Sequence, residues 1–240
     1  MVDFDSLPPQ LRGILNALAS AIRTREPAIR ARVDALRLSH PSFTQEQLAQ
    51  KLIRDTRIRV AATGAASGAA AIAPGLGTLL SLGAATSQAL YALEQETELV
   101  MAIAIIYGHE LSASDERVLE ALVVVGIAGG SVKLRENILV VGGERITVAA
   151  FRALPREWLG RAGGHVLGRI LGRIVGSRAL STIGRVAPLA IGMAVGAGFD
   201  WIAVSALGKA ATRYYGPGGP AAKVPRLTGR QDVRHVELGN

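Results

Sequence analysis

Glycine recurs at every fourth position of "GRAGGHVLGRILGRIVG", at residues 160, 164, 168, 172 and 176. Inside a helix in water each glycine costs about 1 kcal/mol relative to alanine, so such a helix needs a compensating gain from its surroundings. Residues four apart lie nearly above one another on a helix. Gly160, Gly164, Gly168, Gly172 and Gly176 would therefore cut a groove down one side. A second helix seated in that groove gains dispersion contacts along its backbone, and small residues at this spacing are a recurrent means of helix association in membranes. The pattern predicts an all-α fold, a compact bundle of close-packed Gly/Ala-rich helices, packed in the manner of a glycine zipper.

A basic side chain or histidine follows each of the first four glycines: Arg161, His165, Arg169 and Arg173. One position is about 100° of helical rotation, so this stripe lies beside the groove, and Leu167, Ile170, Leu171 and Ile174 occupy much of the remaining surface. A helix with these three faces can lie at a lipid headgroup layer, with Arg161, Arg169 and Arg173 directed at anionic lipid. It is a poor spanning helix, because arginine at mid-bilayer is expensive. The same pattern also suits a core helix of a soluble bundle whose arginines face water.

Composition agrees with slim, closely packed elements: 49% of residues are apolar, with 28 glycines and only 4% aromatics, whereas β-sandwiches need more β-branched and aromatic side chains. The net charge of +8 draws a protein towards anionic lipid or nucleic acid. Scattered arginines, scarce aromatic platforms and the lack of a recognised motif argue against nucleic acid. With no cysteine there is no disulfide frame or thiolate metal site. The opening "MVDFDSLPPQ" has neither the basic nor the apolar region of a signal peptide.

Three regions follow from patterning: amphipathic helices over 1–58, a Gly/Ala-rich helical core over 59–215, and a disordered Gly/Pro linker with a basic tail over 216–240. In the first, Leu11, Ile14, Leu15, Leu18 and Ile22 share a face, His40-Pro41 breaks the chain, and Thr44 with Gln47 has capping-box spacing. The next helix sets Leu48, Leu52 and Ile53 against Lys51, Arg54, Arg57 and Arg59. Val60 to Leu93 contains no charge and reads as two short helices meeting at Ala73-Pro74-Gly75-Leu76-Gly77, either a buried hairpin or a shallow membrane hairpin. Gly108 reads as a C-cap. In "NILVVGGERITV" two β-branched runs flank Gly142-Gly143, a hairpin signal near 138–148; the helical surroundings favour helix–Gly–Gly–helix, and short apolar runs alone do not decide. Beyond the glycine series, Gly192 and Gly196 repeat the packing spacing, and Asp200 is the one charge between Arg185 and Lys209.

No catalytic constellation emerges. G-x-S-x-G is missing, Gly208-Lys209 lacks the rest of a P-loop, and "GLGTLLSLG" does not match the dinucleotide fingerprint. His40, His109, His165 and His235 are scattered, which gives no metal site and no cofactor expectation. Glu94 and Glu98 sit one turn apart and read as a solvated helix face in preference to an acid–base pair. Asp200 is a buried polar candidate, because a carboxylate in an apolar stretch needs a partner or water.

Three stretches, "HPSFTQEQLAQKLIRDTRIRVAATGAASGAAAIAPGLGT", "TELVMAIAIIYGHELSASDERVLEALVVVG" and "IGRVAPLAIGMAVGAGFDWIAVSALGKAATRYYG", resemble the EcsC family of bacterial proteins. The closest parallels are Ala73-Pro74-Gly75, Ile106-Tyr107-Gly108 and the closing Gly-Arg-Val-Ala-Pro…Gly-Lys-Ala order. The resemblance spans roughly residues 40–216. It implies a mostly helical, membrane-associated protein without established enzymatic activity, and the family's name, taken from an operon encoding an ABC transporter, hints at transport or secretion. It brings no catalytic residues.

The expected function is a non-enzymatic helical protein docking peripherally on the cytoplasmic face of the bacterial inner membrane, its partner an anionic membrane surface. Two alternatives stay open: an integral protein spanning through 60–93 and 186–208, and a soluble adaptor whose residues 217–240 recruit a protein partner. Glycine-grooved helices also admit a homo-oligomer.

Overall fold

The computed structural model describes residues 9–70, 81–109, 115–141, 143–153 and 189–223. In chain order the elements are α1 (Pro9–Ser39), α2 (Gln45–Ala70), α3 (Ser81–Ile106), α4 (Asp115–Ala128), β1 (Lys133–Arg135), β2 (Ile138–Val141), β3 (Glu144–Thr147), α5 (Val148–Ala153), α6 (Leu189–Tyr215) and α7 (Pro220–Lys223). The fold is mainly helical with one small antiparallel sheet.

Local chemistry sets the helix ends. α1 buries Leu18, Ile22, Ile29 and Val33, a helical spacing that continues across Pro27, whose ring cannot donate to the carbonyl four residues back. The helix stops before His40-Pro41, as expected. The capping box that opens α2 is formed: Thr44 N donates to Gln47 Oε1 at 2.8 Å, and Gln47 N donates to Thr44 Oγ1 at 3.2 Å. α3 ends in a Schellman turn, with Gly108 at φ 80°, Gly108 N donating to Ile105 O and His109 N to Ala104 O, both at 3.0 Å.

The helices of the uncharged stretch differ from the two short ones expected. α2 is continuous through residues 58 and 59, where the composition shifts, and α3 begins at Ser81. Residues 60–70 are thus the last turns of a long helix and 81–93 the first half of another. The Ala73–Gly77 turn lies outside the described residues. Buried side chains from α1, α2, α3, α4 and α6 belong to one continuous core.

Residues 138–148 correct the preference for helix–Gly–Gly–helix. β2 and β3 form an antiparallel hairpin with Val141 opposite Glu144, and β1 adds to β2 through a second tight turn with Arg135 opposite Ile138. Gly143 has φ 94° and Glu136 φ 52°, conformations that a helix cannot contain. Cross-strand neighbours Leu134, Leu139 and Ile146 form one apolar row, with Leu134 and Leu139 buried in the core and Ile146 packed against it. The period of two is therefore satisfied against the helices.

Residues 216–223 also depart from the expected linker. Gly216 N donates to Thr212 O at 2.8 Å and Gly219 N to Gly216 O at 2.9 Å, and α7 follows with Pro220 and Ala221 buried. A Cβ on Gly219 would fall 2.6 Å from the carbonyl oxygens of both Arg213 and Tyr214, so the turn folds back onto the end of α6. The basic tail beyond it lies outside the described residues.

α6 packs against α2 at a notch that only glycine provides. A Cβ at Gly208 would lie 2.5 Å from Ile53 Cδ1 and 2.6 Å from Ile53 Cγ1. Ile53 is buried and β-branched, so it holds one strongly preferred rotamer in a helix. Gly208→Ala gains up to about 1 kcal/mol of helix propensity but overpacks the site by about 1–3 kcal/mol. The expected net result is a lower unfolding midpoint. In an Ile53→Ala background the same change should instead stabilise, and denaturant titration of the four proteins reads this reversal of sign.

Candidate functional site

The pairs Ile53–Gly208 and Arg57–Trp201 show that α2 and α6 run antiparallel, since higher numbers on one meet lower numbers on the other. The C-terminal turns of α2 thus lie beside the N-terminal turns of α6. α3 returns from the same end of α2, packing against both. Three charge-poor helical segments are gathered at one end of the bundle: 60–70 and 81–93, which carry no charge, and 189–200, whose one charge is Asp200.

A polar belt bounds this end. On one side Arg25 of α1 bridges two carboxylates of α3, with Nε 2.7 Å from Glu94 Oε1 and Nη1 2.5 Å from Glu98 Oε1. The Glu94 and Glu98 side chains keep only 14% and 17% of their exposure. The expectation of a solvated face is corrected: the two acids do share a face, but that face packs against α1, and Arg25 offsets their desolvation. Beside it, Arg32 Nη2 donates to Thr56 Oγ1 at 3.0 Å. Burial holds the Arg32 guanidinium below its ordinary pKa, the Arg59 charge adds to this, and Glu98 and Asp55 oppose it.

The belt's outer edge is apolar and cationic together. Leu48, Ala49, Leu52 and Ile53 turn one face of α2 inward, leaving Arg54 and Ile58, one turn apart, exposed. On α6 the inward face is Val204, Leu207, Ala211 and Tyr214, while Trp201 is 40% and Ile202 67% exposed. The Arg57 guanidinium carbon lies 3.9 Å above the Trp201 ring centre, a contact worth about 0.5–1 kcal/mol at an exposed site. Among the described residues no carboxylate pairs with Arg54 or Arg57.

A second polar group lies towards the far ends of α3 and α6. His109 Nε2 contacts Tyr215 O at 3.0 Å. Burial raises the Tyr107 phenol above its usual pKa, the Thr212 hydroxyl acting against this and the Glu46 carboxylate with it. These groups join helices. Among the described residues no cluster of His, Asp and Glu is placed to hold a metal, and no helix is long and apolar enough to cross a membrane.

The sequence-selected residues fall differently. Gly160, Gly164, Gly168, Gly172, Gly176, Arg161, Arg169 and Arg173 lie outside the described residues. Gly192, Gly196 and Asp200 are in the helical backbone of α6, with side-chain surroundings at these positions outside the description. Arg54, Arg57 and Arg59 read in the sequence as the charged side of an ordinary amphipathic helix, and Trp201 belongs to no sequence motif. The available signal was one of only two tryptophans at the margin of a charge-poor run. No protein-family model, curated protein or solved structure matches the chain.

Proposed function

We propose that the protein is a non-enzymatic helical module that docks peripherally on an anionic membrane surface, at the cytoplasmic face of the bacterial inner membrane. The observation that carries this reading is the gathering of three charge-poor helical segments at one end of the bundle, in a chain of net charge +8. An end built largely from Ala, Gly, Ser and Thr gains too little from lipid for deep insertion. It suits a shallow position, where basic groups supply much of the attraction at roughly 1 kcal/mol for each Lys or Arg near the surface. Membership of the EcsC family and a link to transport or secretion belong to the same proposal.

Flotation with phosphatidylcholine vesicles, with and without phosphatidylglycerol, tests the reading. Binding to the anionic vesicles should exceed binding to neutral ones by roughly tenfold or more and fall as salt screens it. Equal flotation with both, or none with either, rejects the electrostatic reading. Retention in the membrane pellet after carbonate extraction of native membranes would favour an integral protein instead.

A further inference from the structure

Resting on that membrane reading, we infer that the α2–α6 edge formed by Arg54, Arg57, Ile58, Trp201 and Ile202 is the headgroup-level contact, with Arg57 taking a phospholipid phosphate. Three observations converge here. Ile58, Trp201 and Ile202 are three of the five large apolar side chains left exposed among the described residues, at 56%, 40% and 67%, and they stand on two helices packed against each other. Two cations without a carboxylate partner among the described residues stand within the same edge, complementary in charge to anionic lipid. The Arg57 Nε is buried and has no hydrogen-bond acceptor, so no protein acceptor would be lost when the guanidinium turns outwards to offer its planar fork to phosphate oxygens.

The position in the fold fits the chemistry. The edge lies at the level of Thr56, the acceptor of Arg32 Nη2, and just before the uncharged run that begins at residue 60. Tryptophan with arginine beside it is the combination enriched where hydrocarbon gives way to headgroups. With the bundle standing end-on, the Trp201 ring reaches the acyl boundary, and the Arg57 guanidinium, now lying over that ring, turns to a phosphate one layer above. The Ile53–Gly208 notch holds α2 and α6 in register one to two turns away, so the two halves of the edge are presented together.

The test uses the full chain. Trp158→Phe leaves Trp201 as the single tryptophan. Phosphatidylglycerol-containing vesicles should shift its emission to the blue, and brominated acyl chains should quench it. In the wild-type background Trp201→Ser with Ile202→Ser should weaken vesicle binding about tenfold or more, and Arg57→Gln roughly fivefold, with helical circular dichroism unchanged. Flotation with an unshifted, unquenched Trp201 overturns this inference while leaving membrane docking intact. Failure of the wild-type protein to float removes both. A blue shift that follows protein concentration without lipid assigns the edge to a second copy of the chain and also overturns the inference. If Trp158→Phe does not fold, the two wild-type-background variants still decide: undiminished binding refutes the proposed contact.

Discussion

Replacing Arg152 by methionine should lower the unfolding free energy by about 3–5 kcal/mol, the usual cost of removing one member of a buried ion pair. The pair is fully enclosed: Arg152 Nε lies 3.1 Å from Glu120 Oε1, and the two side chains retain 2% and 0% exposure. Arg152 Nη1 also donates to Ala221 O at 2.6 Å, so a single guanidinium ties α5 to α4 and to α7. Against a total stability of about 5–15 kcal/mol for a folded domain, a loss of this size is a large fraction. The denaturant midpoint should fall with little change in slope. Adding Glu120→Leu removes the carboxylate that faced Arg152 and should recover part of the loss, because well-packed apolar replacements of buried pairs are often neutral or better. A cost below about 1 kcal/mol for Arg152→Met, the level typical of exposed pairs, would show that the pair is not desolvated in solution.

Arg25→Met should have the next largest effect. It removes one charge-assisted hydrogen bond, to Glu98, worth about 1.5–3 kcal/mol when well shielded, together with the ion pair to Glu94, and leaves Glu94 and Glu98 as like charges one turn apart. The Arg25 side chain is 42% exposed, so solvent screens part of this, and the expected loss is about 2 kcal/mol. For a chain of this size that is a fall of roughly 4–8 °C in Tm. Glu94→Gln with Glu98→Gln in the same background should restore a good part of it, since neutral amides do not repel. Equal melting of wild type and Arg25→Met in low salt would mean that the bridge forms no part of the α1–α3 contact.

Much of the local structure was legible in the residues. Thr44 and Gln47 announced a capping box because their side chains can satisfy each other's backbone donors without help from any other element. Gly108 announced a helix end because a left-handed residue is needed there. The hairpin at 138–148 was visible as a signal and yet outweighed by its helical neighbours. What decided it was the row Leu134–Leu139–Ile146 finding an apolar surface, a fact of packing that no short run contains. Residues 216–223 differ from the linker that the sequence suggests for a related reason. Gly and Pro suggest a linker when read alone, whereas here Gly219 is the residue small enough to approach the carbonyls closing α6.

The candidate site shows the same division more sharply. The two acids Glu94 and Glu98 were paired correctly by helical spacing, but their partner Arg25 is on another helix, and spacing says nothing about which helix a face will meet. The glycine series expected along 160–176 lies outside the described residues, and a different glycine, Gly208, makes the close approach between α2 and α6, against the Ile53 side chain.

From the chain's own order of residues came the helical character, the caps and the excess of positive charge, because each depends on neighbours within a turn or two or on composition alone. Only the tertiary structure brought Arg57 over Trp201, enclosed Glu120 with Arg152, and gathered the charge-poor segments at one end. Those outcomes depend on contacts between distant segments, which are selected by the burial of whole faces and not by any local preference.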